Sequence, residues 1–590
     1  MKSKSPRRKS DASKVWRHWP VLLALVALFA LSWNFLGGGW HSAASAEWDW
    51  DFYWAGREMV RRIWAAGGNL SPWIPHFCGG FPILDSTEIP LLSPFLIFWQ
   101  KLGPVPGSKW EFVITLGIGL VGMYRAIGAL APASPRWLRA CGALHFATCG
   151  FLLLHLNAGH FSFAAFALLS WIAFGFLAER VEPIALALAA GPILGSNNYF
   201  MHAILFTVAA GITNPKWLRL TAKAGAWAVL LSAPVIIHSI TGYGEARFLK
   251  FSAFNHHELP QSIESLFDLM TTAGTNIWAC DVDCYWEYGN YVGLVALALG
   301  LIGLAKGAYS DWRMRPWVFV GLIFFLIALG PVSKFAPFSL FLYLPLLNRL
   351  EVNTRFLMGF TTVLFLGWSW FLGVELQKTR WSRVIAGVLA IVSLLPSLQY
   401  AHKLFDLPGL GKPLADLREK PADMQLIHGV RDFRSGRYEA LTSQTGTDYC
   451  HVSSSRGWYD GKIQVGKGPI LIAPPETSAH FDDRYWMLDW NPTPESLRQA
   501  GPLVWLLNQN YSNEMVVDPL SSPGLPIKVS SEDALVKFEI DDRTLLKPGK
   551  QIFRLRIEPP WSLIASFGIL LISWAIFLAR WIFDKPKRPA

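Results

Sequence analysis

The chain has 590 residues, of which 52% are hydrophobic and only 16% are charged. Soluble globular proteins carry about 25% charged residues. This composition, with a mean hydropathy of +0.30, therefore excludes an ordinary water-soluble protein. The formal net charge is +11, and its meaning depends on where the basic residues lie relative to a membrane. Six cysteines are too few for a scaffold built on disulfides.

Apolar runs along the chain predict about twelve membrane-spanning helices, of which the first is close to the length that a hydrocarbon core about 30 Å thick requires and the pair around 182–213 is short. The first follows Trp19, and the last covers Trp561 to Ala579. The others lie near residues 111–130, 138–156, 161–178, 182–195, 199–213, 223–240, 291–306, 316–330, 355–375 and 383–399.

Basic residues give the predicted orientation, because cytoplasmic segments carry an excess of Lys and Arg. The amino-terminal tail before Trp19 is basic, which places it inside. Ala44-Ser45-Ala46 leaves a cleaved signal peptide as an alternative, although either outcome puts the following segment outside. Most of the positive charge is thus topological, and nucleic-acid binding is not expected. The other basic clusters on the inner side are Arg136/Arg139, Lys216/Arg219/Lys223, Arg313/Arg315, Lys378/Arg380/Arg383 and Lys585/Lys587/Arg588.

The same alternation divides the chain into four parts. These are a basic cytoplasmic tail (1–18), a transmembrane domain (19–400) with outer loops at 42–109 and 241–290, an extracytoplasmic domain (401–560), and a last helix with a basic tail (561–590). The third part is predicted to be β-rich, because Leu535 to Ile540 and Gln551 to Ile557 alternate apolar and polar residues. Pro548-Gly549 supplies a turn between them.

Aromatic residues of the β-rich domain have two interpretations. Trp458, Tyr459, Trp486 and Trp490 could stack on a sugar. Aromatic residues more commonly form the core of such a domain.

Two carboxylates, Asp49 and Asp51, directly follow the first predicted helix. Acidic residues near hydrocarbon are costly unless they pair, bind a cation or face water, which favours a functional role. One role is a general base with a raised pKa in an apolar cleft. Another is a ligand for a divalent cation such as Mg²⁺ or Mn²⁺. An interfacial aromatic belt with solvated acids is the structural alternative.

Further candidates lie on the same predicted face. Asp85 and Glu88 precede a proline-punctuated apolar segment, Leu91 to Trp99, which is predicted to be an interfacial helix that walls a cavity. Residues 155–160 include His155, Asn157, Gly159 and His160 at the end of a predicted span. There, His160 either caps the next helix or contacts a substrate or metal. Polar residues from another outer boundary are expected to meet them: Asn197, Asn198, Tyr199 and His202.

Arg349 and Arg355 lie on the outer side, where positive charge is disfavoured. A guanidinium kept there suits a phosphate, which it grips with two parallel hydrogen bonds. Snorkelling toward headgroups is the alternative.

Cys280 and Cys284 are close enough for a disulfide in an oxidising compartment, although the spacing alone leaves a metal site open. The run from Gly461 to Gly468 imitates a phosphate loop but lacks its Ser or Thr.

Taken in order, these segments resemble the GT-C glycosyltransferases and, within them, the bacterial YfhO-like membrane proteins. The likeness covers nearly the whole chain, but each motif is short. Where relatives tend to read ANPQ, this chain reads Asp85-Ser-Thr-Glu88, which weakens the assignment of that loop. The matching segments are Asp49/Asp51, Cys78 to Pro94, Gly159-His160, Tyr288 to Leu294, Arg349 to Phe356, and Pro548 to Trp561.

The resemblance implies a mainly α, polytopic membrane enzyme of the bacterial inner membrane, with an active site on its outer face. It implies transfer of a hexose or pentose from a polyprenyl-phosphate donor to a glycan, lipid or protein acceptor. Asp51 or Asp49 would act as the base, Arg349 and Arg355 would hold the phosphate, and His160, Asn157, Asp85 and Glu88 would contact substrate. A non-catalytic protein that binds or moves a lipid-linked glycan is the alternative.

Overall fold

The structure is a computed structural model. It describes residues 19–37, 49–65, 67, 73–74, 81–82, 88–157, 159–237, 261–273, 289–341, 352–406, 427–428, 446–447, 470–481, 486–498, 501–510, 515–532, 535–559 and 561–583. Several predicted features lie outside these residues, namely Asp85, Arg349, the Cys280 and Cys284 pair, the Gly461 to Gly468 run, Trp458 and Tyr459. Asp49, Asp51 and Asn157 are described by their helical backbone alone.

Helices make up most of the described part of the chain up to residue 406. Short additional helices are Trp33–Gly37 and Pro337–Phe341, and 3-10 helices cover Phe161–Leu168, Asn353–Phe356 and Glu375–Gln377. The principal helices are α1 (Trp19–Leu31), α2 (Asp49–Ala65), α3 (Leu96–Leu102), α4 (Pro104–Leu130), α5 (Arg136–Ala147), α6 (Gly150–Asn157), α7 (Leu169–Leu177), α8 (Val181–Ile193), α9 (Asn197–Gly211), α10 (Pro215–Leu231), α11 (Ile263–Thr271), α12 (Leu294–Ser310), α13 (Arg315–Ala328), α14 (Leu357–Gly373), α15 (Arg380–Asp406) and α16 (Trp561–Phe583).

The described residues of each predicted apolar run lie mostly in helical structure. Within the described residues, five helical stretches are long and apolar enough to cross a membrane by length and composition. The prediction of a mainly helical, polytopic membrane protein is thus confirmed, whereas the number of crossings stays a prediction. The five stretches are Pro104–Leu130, Arg136–Leu156, Asn353–Gln377, Arg380–Phe405 and Trp561–Trp581.

The first predicted outer loop ends earlier in the sequence than expected. The sequence predicts a loop up to residue 109, but α4 begins at Pro104. Gly103 adopts a positive φ of 88° and Pro104 occupies the first turn of the helix. Proline fits there because the first-turn N–H groups have no partner within the helix. The added turns bring Lys109 of the predicted loop into a buried part of α4, close to the buried Glu111.

Helices α12 and α14 pack through glycines. A Cβ added to Gly303 would overlap the carbonyl oxygen of Gly367, and one added to Gly367 would lie 2.6 Å from the carbonyl oxygen of Gly300. Backbones approach this closely only where side chains are small, which is typical of helix pairs within membranes. Gly300 meets Leu364 and Gly303 meets Gly367, so the two helices run parallel.

We expect Gly303→Ala to destabilise the full-length protein, because the methyl group has no room beside the α14 backbone. Overpacking of this kind costs about 1–3 kcal/mol. Gly568→Ala is the matched control, since a Cβ there meets nothing within 4 Å. Alanine is also the better helix former by about 1 kcal/mol. Thermal unfolding in detergent should therefore show a lower midpoint for Gly303→Ala only. Equal midpoints for the two variants would contradict the packing.

The described part of the β-rich domain is a sandwich of two four-stranded antiparallel sheets. The strands of the sandwich are β5 (Ile470–Ile472), β6 (Thr477–Phe481), β7 (Trp486–Trp490), β8 (Leu503–Asn510), β9 (Met515–Pro519), β10 (Lys528–Glu532), β11 (Leu535–Ile540) and β12 (Gln551–Ile557). Their order is β10-β11-β8-β5 in one sheet and β6-β7-β12-β9 in the other. Both strands predicted from alternation are confirmed with the expected bounds. They lie in different sheets, however, so the Pro548-Gly549 turn joins the two layers. Two further sheets have two strands each. One pairs β1 (Trp73–Ile74) with β2 (Phe81–Pro82), and the other pairs β3 (Ile427–His428) with β4 (Gly446–Thr447).

Aromatic side chains fill the space between the two sheets. Trp505 of β8 stacks on Phe538 at 4.7 Å between ring centroids and meets Trp490 of the facing sheet edge to face at 5.5 Å. Trp486 and Trp490 are fully buried. The interpretation of these two residues as a sugar-stacking platform is therefore wrong, and they are core residues.

An ion-pair cluster joins two strands on the outer side of the second sheet. The Asp518 carboxylate of β9 accepts hydrogen bonds from Arg554 and Arg556 of β12, each as short as 2.8 Å. Burial alone would raise the pKa of Asp518, but the hydrogen bonds from Arg556 and Arg554 hold that pKa below its usual value. The carboxylate thus stays charged at neutral pH and ties β9 to the strand that leads into α16.

Candidate functional site

The candidate site lies where the first turns of α2 meet the segment that joins α6 to α7. Tyr53 is buried in α2, and its hydroxyl oxygen accepts a hydrogen bond from the Ser162 hydroxyl at 3.1 Å. The neighbouring Trp54 contacts the ring of Phe161 at 6.2 Å between centroids. The helix whose first turn includes Asp49 and Asp51 is thereby fixed against residues 161 and 162.

A turn at Gly159 brings His155 and His160 together. The His160 N–H donates to the His155 carbonyl at 2.9 Å, and the Gly159 N–H donates to the Leu156 carbonyl at 2.9 Å. This pair of bonds is a Schellman motif, which requires a left-handed residue at its centre. Gly159 supplies it with φ of 87°. The motif places the side chains five residues apart on the same side of the turn.

The two imidazoles are linked through their Nδ1 atoms, which lie 2.9 Å apart. One Nδ1 must donate and the other must accept, so the two rings cannot both be doubly protonated while this bond persists. Both rings also stack on Phe163, at 4.1 Å for His155 and 4.9 Å for His160. Both histidines are buried.

Arg355 comes from a distant part of the sequence and lies beside this group. It lies in the 3-10 helix that opens α14, with its guanidinium carbon 5.0 Å from the centre of the Phe163 ring. Its charge interacts with both His155 and His202. Residues 161–163 therefore contact the early turns of α2 on one side and the predicted phosphate-binding arginine on the other.

His202 of α9 borders the same group. Its Nδ1 lies 2.6 Å from the Asn198 carbonyl oxygen, so Nδ1 carries the proton and donates. Its ring lies 4.2 Å from the ring of Phe356, which follows Arg355. Nε2 of His202 and Nε2 of His155 are buried and have no hydrogen-bond partner within the part of the chain that the structure describes. Each is thus an available polar atom beside Arg355.

The turn between α8 and α9 connects the site to the segment at Glu88. Gly195 has φ of 65°, and a Cβ there would lie 2.6 Å from the Glu88 carbonyl oxygen. The Ser196 hydroxyl donates to the Ser162 carbonyl at 2.8 Å. Ile89 packs beside Gly56 of α2, with a side-chain carbon 3.1 Å from the position of an added Cβ. Glu88 and Ile89, which precede the predicted cavity wall at Leu91 to Trp99, therefore lie against the α8–α9 turn and α2.

The described residues contain no group of three or more His, Cys, Asp or Glu side chains that could hold a metal ion. The pair His155 and His160 lacks a third ligand of these kinds in that part of the structure. A divalent cation at Asp49 and Asp51 therefore remains a prediction from the sequence.

The structure brings several predicted site residues into one region and adds others. His155, His160 and Arg355 share the Phe163 ring, and the helix of Asp49 and Asp51 contacts the preceding residues. Asn157 ends α6 beside them. Sequence reasoning missed Tyr53, Ser162 and Phe163, which give no chemical motif. The sequence signal that could have identified them is their position next to charged or histidine residues at helix boundaries.

No family model and no curated protein matches the sequence. Among solved structures, the chain is similar to arabinofuranosyltransferase AftD from Mycobacteria, with TM-score 0.46, 16% identity, and coverage of 89% of this chain and 41% of that one. A second AftD structure gives TM-score 0.44, 16% identity, and coverage of 81% and 34%. The chain thus spans well under half of AftD.

A further similar structure is the archaeal oligosaccharyltransferase AglB from Archaeoglobus fulgidus, in complex with an inhibitory peptide and a dolichol-phosphate. It gives TM-score 0.37, 13% identity, and coverage of 68% of this chain and 57% of that one. The resemblance to the GT-C glycosyltransferases is carried by the sequence motifs. The narrower YfhO-like resemblance stays a prediction.

Proposed function

We propose that this chain is an integral-membrane glycosyltransferase that moves a sugar from a polyprenyl-phosphate donor to an extracytoplasmic glycan, lipid or protein. It would work in the bacterial cytoplasmic membrane with its site at the outer face. The observation that carries the proposal is the shared contact at residues 161–163. This segment contacts the helix of the two predicted carboxylates and the predicted phosphate-binding Arg355.

The arrangement suits a reaction in which charge moves from an acceptor hydroxyl to a phosphate. Asp51 or Asp49 would take the proton from the acceptor hydroxyl. The freed oxygen would bond to the anomeric carbon of the sugar while the bond from that carbon to the phosphate oxygen breaks. Polyprenyl phosphate would leave with the bonding electrons, and Arg355 would stabilise the negative charge that develops on it.

Neighbouring groups would hold the substrates. His160, Asn157, Glu88 and Asp85 are proposed to contact the sugar or its phosphate, and Arg349 to assist Arg355. Asp49 and Asp51 would offer the hard oxygen ligands that Mg²⁺ and Mn²⁺ prefer. Such a cation would offset phosphate charge.

The test uses the full-length protein in lipid nanodiscs. Polyprenyl-phosphate arabinofuranose, mannose and glucose, each tritiated in the sugar, are incubated with it and with a delipidated envelope glycan extract. We expect one donor to release free polyprenyl phosphate and to label the glycan. Retention of a donor without release would favour a protein that binds or moves a lipid-linked glycan. Neither binding nor release of any donor would contradict both functions.

A further inference from the structure

We infer that Arg57 and Glu111 form a buried ion pair that positions α2 for sugar transfer. The inference rests on the proposed function, because it gives the pair a role through the carboxylates in the first turn of α2. Arg57 and Glu111 would be positioning residues, since neither is proposed to touch a substrate.

The pair joins two helices with the most directional contact that a guanidinium makes. Arg57 of α2 donates from Nε to Glu111 Oε2 at 2.8 Å and from Nη2 to Oε1 at 2.9 Å. The side chains are only 1% and 4% exposed. Two parallel charged hydrogen bonds fix both distance and direction. Helix α2 therefore cannot slide or rotate on α4 without breaking them.

The remaining contacts of Arg57 reach toward the site. Nη1 donates to the Tyr53 carbonyl at 3.1 Å, and the Tyr53 hydroxyl accepts from Ser162. The guanidinium carbon lies 5.4 to 5.5 Å from the ring centres of Tyr53, Trp99 and Phe161. These distances are in the range of cation–π attraction. One guanidinium thus links α2, α3, α4 and the segment that contacts Arg355 through Phe163.

A purely stabilising role is the weaker explanation. The free-energy cost of removing two charges from water offsets most of their attraction. Apolar residues of similar volume often stabilise the folded protein equally well. What apolar residues do not supply is a fixed register between helices. A second set of ion pairs on α2 differs in this respect, because Glu58 bonds Arg61 at 2.6 Å and Arg62 at 2.7 Å within the same helix.

The test replaces the whole pair, since a single change would leave a buried charge. The variant is Arg57→Met with Glu111→Leu in the full-length protein. We expect its melting temperature and KM for the donor to stay near those of the wild type, with KM changed less than about twofold. We expect kcat to fall about 10- to 100-fold, because small displacements of reacting groups have such effects. Arg61→Gln is the control and should keep the wild-type kcat.

Hydrogen–deuterium exchange of the peptide that begins α2 gives a readout without turnover. We expect faster exchange in the double variant and unchanged exchange in Arg61→Gln. Arg57→Lys, which keeps the charge but loses the fork, should show the same changes to a smaller degree if the double variant fails to fold. Wild-type kcat with wild-type exchange would overturn the inference, as would a raised KM with unchanged kcat. An inactive wild type would refute the proposed function, while the exchange result would still decide whether the pair fixes α2.

Discussion

Replacing Asp49 and Asp51 together with Asn should lower the rate of sugar transfer by about 100- to 10,000-fold, the range that a general base contributes. Asparagine keeps the shape of aspartate but cannot accept the proton of an attacking hydroxyl. Donor binding should persist where Arg355 alone holds the phosphate, and it should weaken if Asp49 and Asp51 also hold a cation that offsets the phosphate charge. The measurement is label transfer to the glycan acceptor, with donor retention followed in parallel.

The two single variants separate the roles of these carboxylates. If Asp51 is the base, Asp51→Asn should account for most of the loss, and Asp49→Asn should have the smaller effect. Asp311→Asn is the matched control, because Asp311 pairs with Arg313 at 2.7 Å beyond the carboxyl end of α12. Wild-type transfer by the double variant would refute the role of both carboxylates.

The membrane fold was largely predictable, because lipid leaves little choice for the backbone. An apolar run of sufficient length must satisfy its own N–H and C=O groups, and a helix does so locally. The boundaries were less predictable where charged residues lie inside the protein. Lys109 suggests the end of a solvated loop by its charge, yet it is buried in α4, as is Glu111 two residues later. Lys109 lies over the ring of Phe35 and Glu111 pairs with Arg57 of α2, and no local pattern reveals these partners.

In the β-rich domain, too, only some features were predictable from the sequence. Alternation gave β11 and β12 with their observed bounds, since one face of each strand is buried and the other is not. Alternation does not identify the neighbours of a strand. The partners of β12 are β7 and β9, so the pairing joins residues far apart in sequence. The burial of Trp486 and Trp490 follows from this pairing.

The site was predictable where its geometry is local. His155, Gly159 and His160 have the spacing of a helix that ends in a Schellman motif, so the contact between the imidazoles follows from a glycine that accepts positive φ. The contacts of Tyr53 with Ser162 and of Arg57 with Glu111 span 109 and 54 residues. Such contacts have no sequence signal, because they depend on which helices pack together.

Arg355→Gln should reduce transfer about 100- to 1,000-fold, comparable to the loss of one preorganised group that stabilises developing charge. Arg355→Lys should fall between this variant and the wild type. Lysine keeps the positive charge but lacks the planar fork that matches a phosphate. The position beside Phe163, His155 and His202 favours a held guanidinium over one that snorkels. The measurement compares kcat and KM for the polyprenyl-phosphate donor.

Arg580→Lys serves as the control, because Arg580 also lies over an aromatic ring, 5.9 Å from the centre of Trp227, but far along the chain in α16. Its transfer rate should match the wild type. If Arg355 binds the leaving phosphate, free polyprenyl phosphate should inhibit the wild type and should inhibit Arg355→Gln much less. Equal inhibition of both would mean that Arg355 faces headgroups and that another residue receives the leaving phosphate.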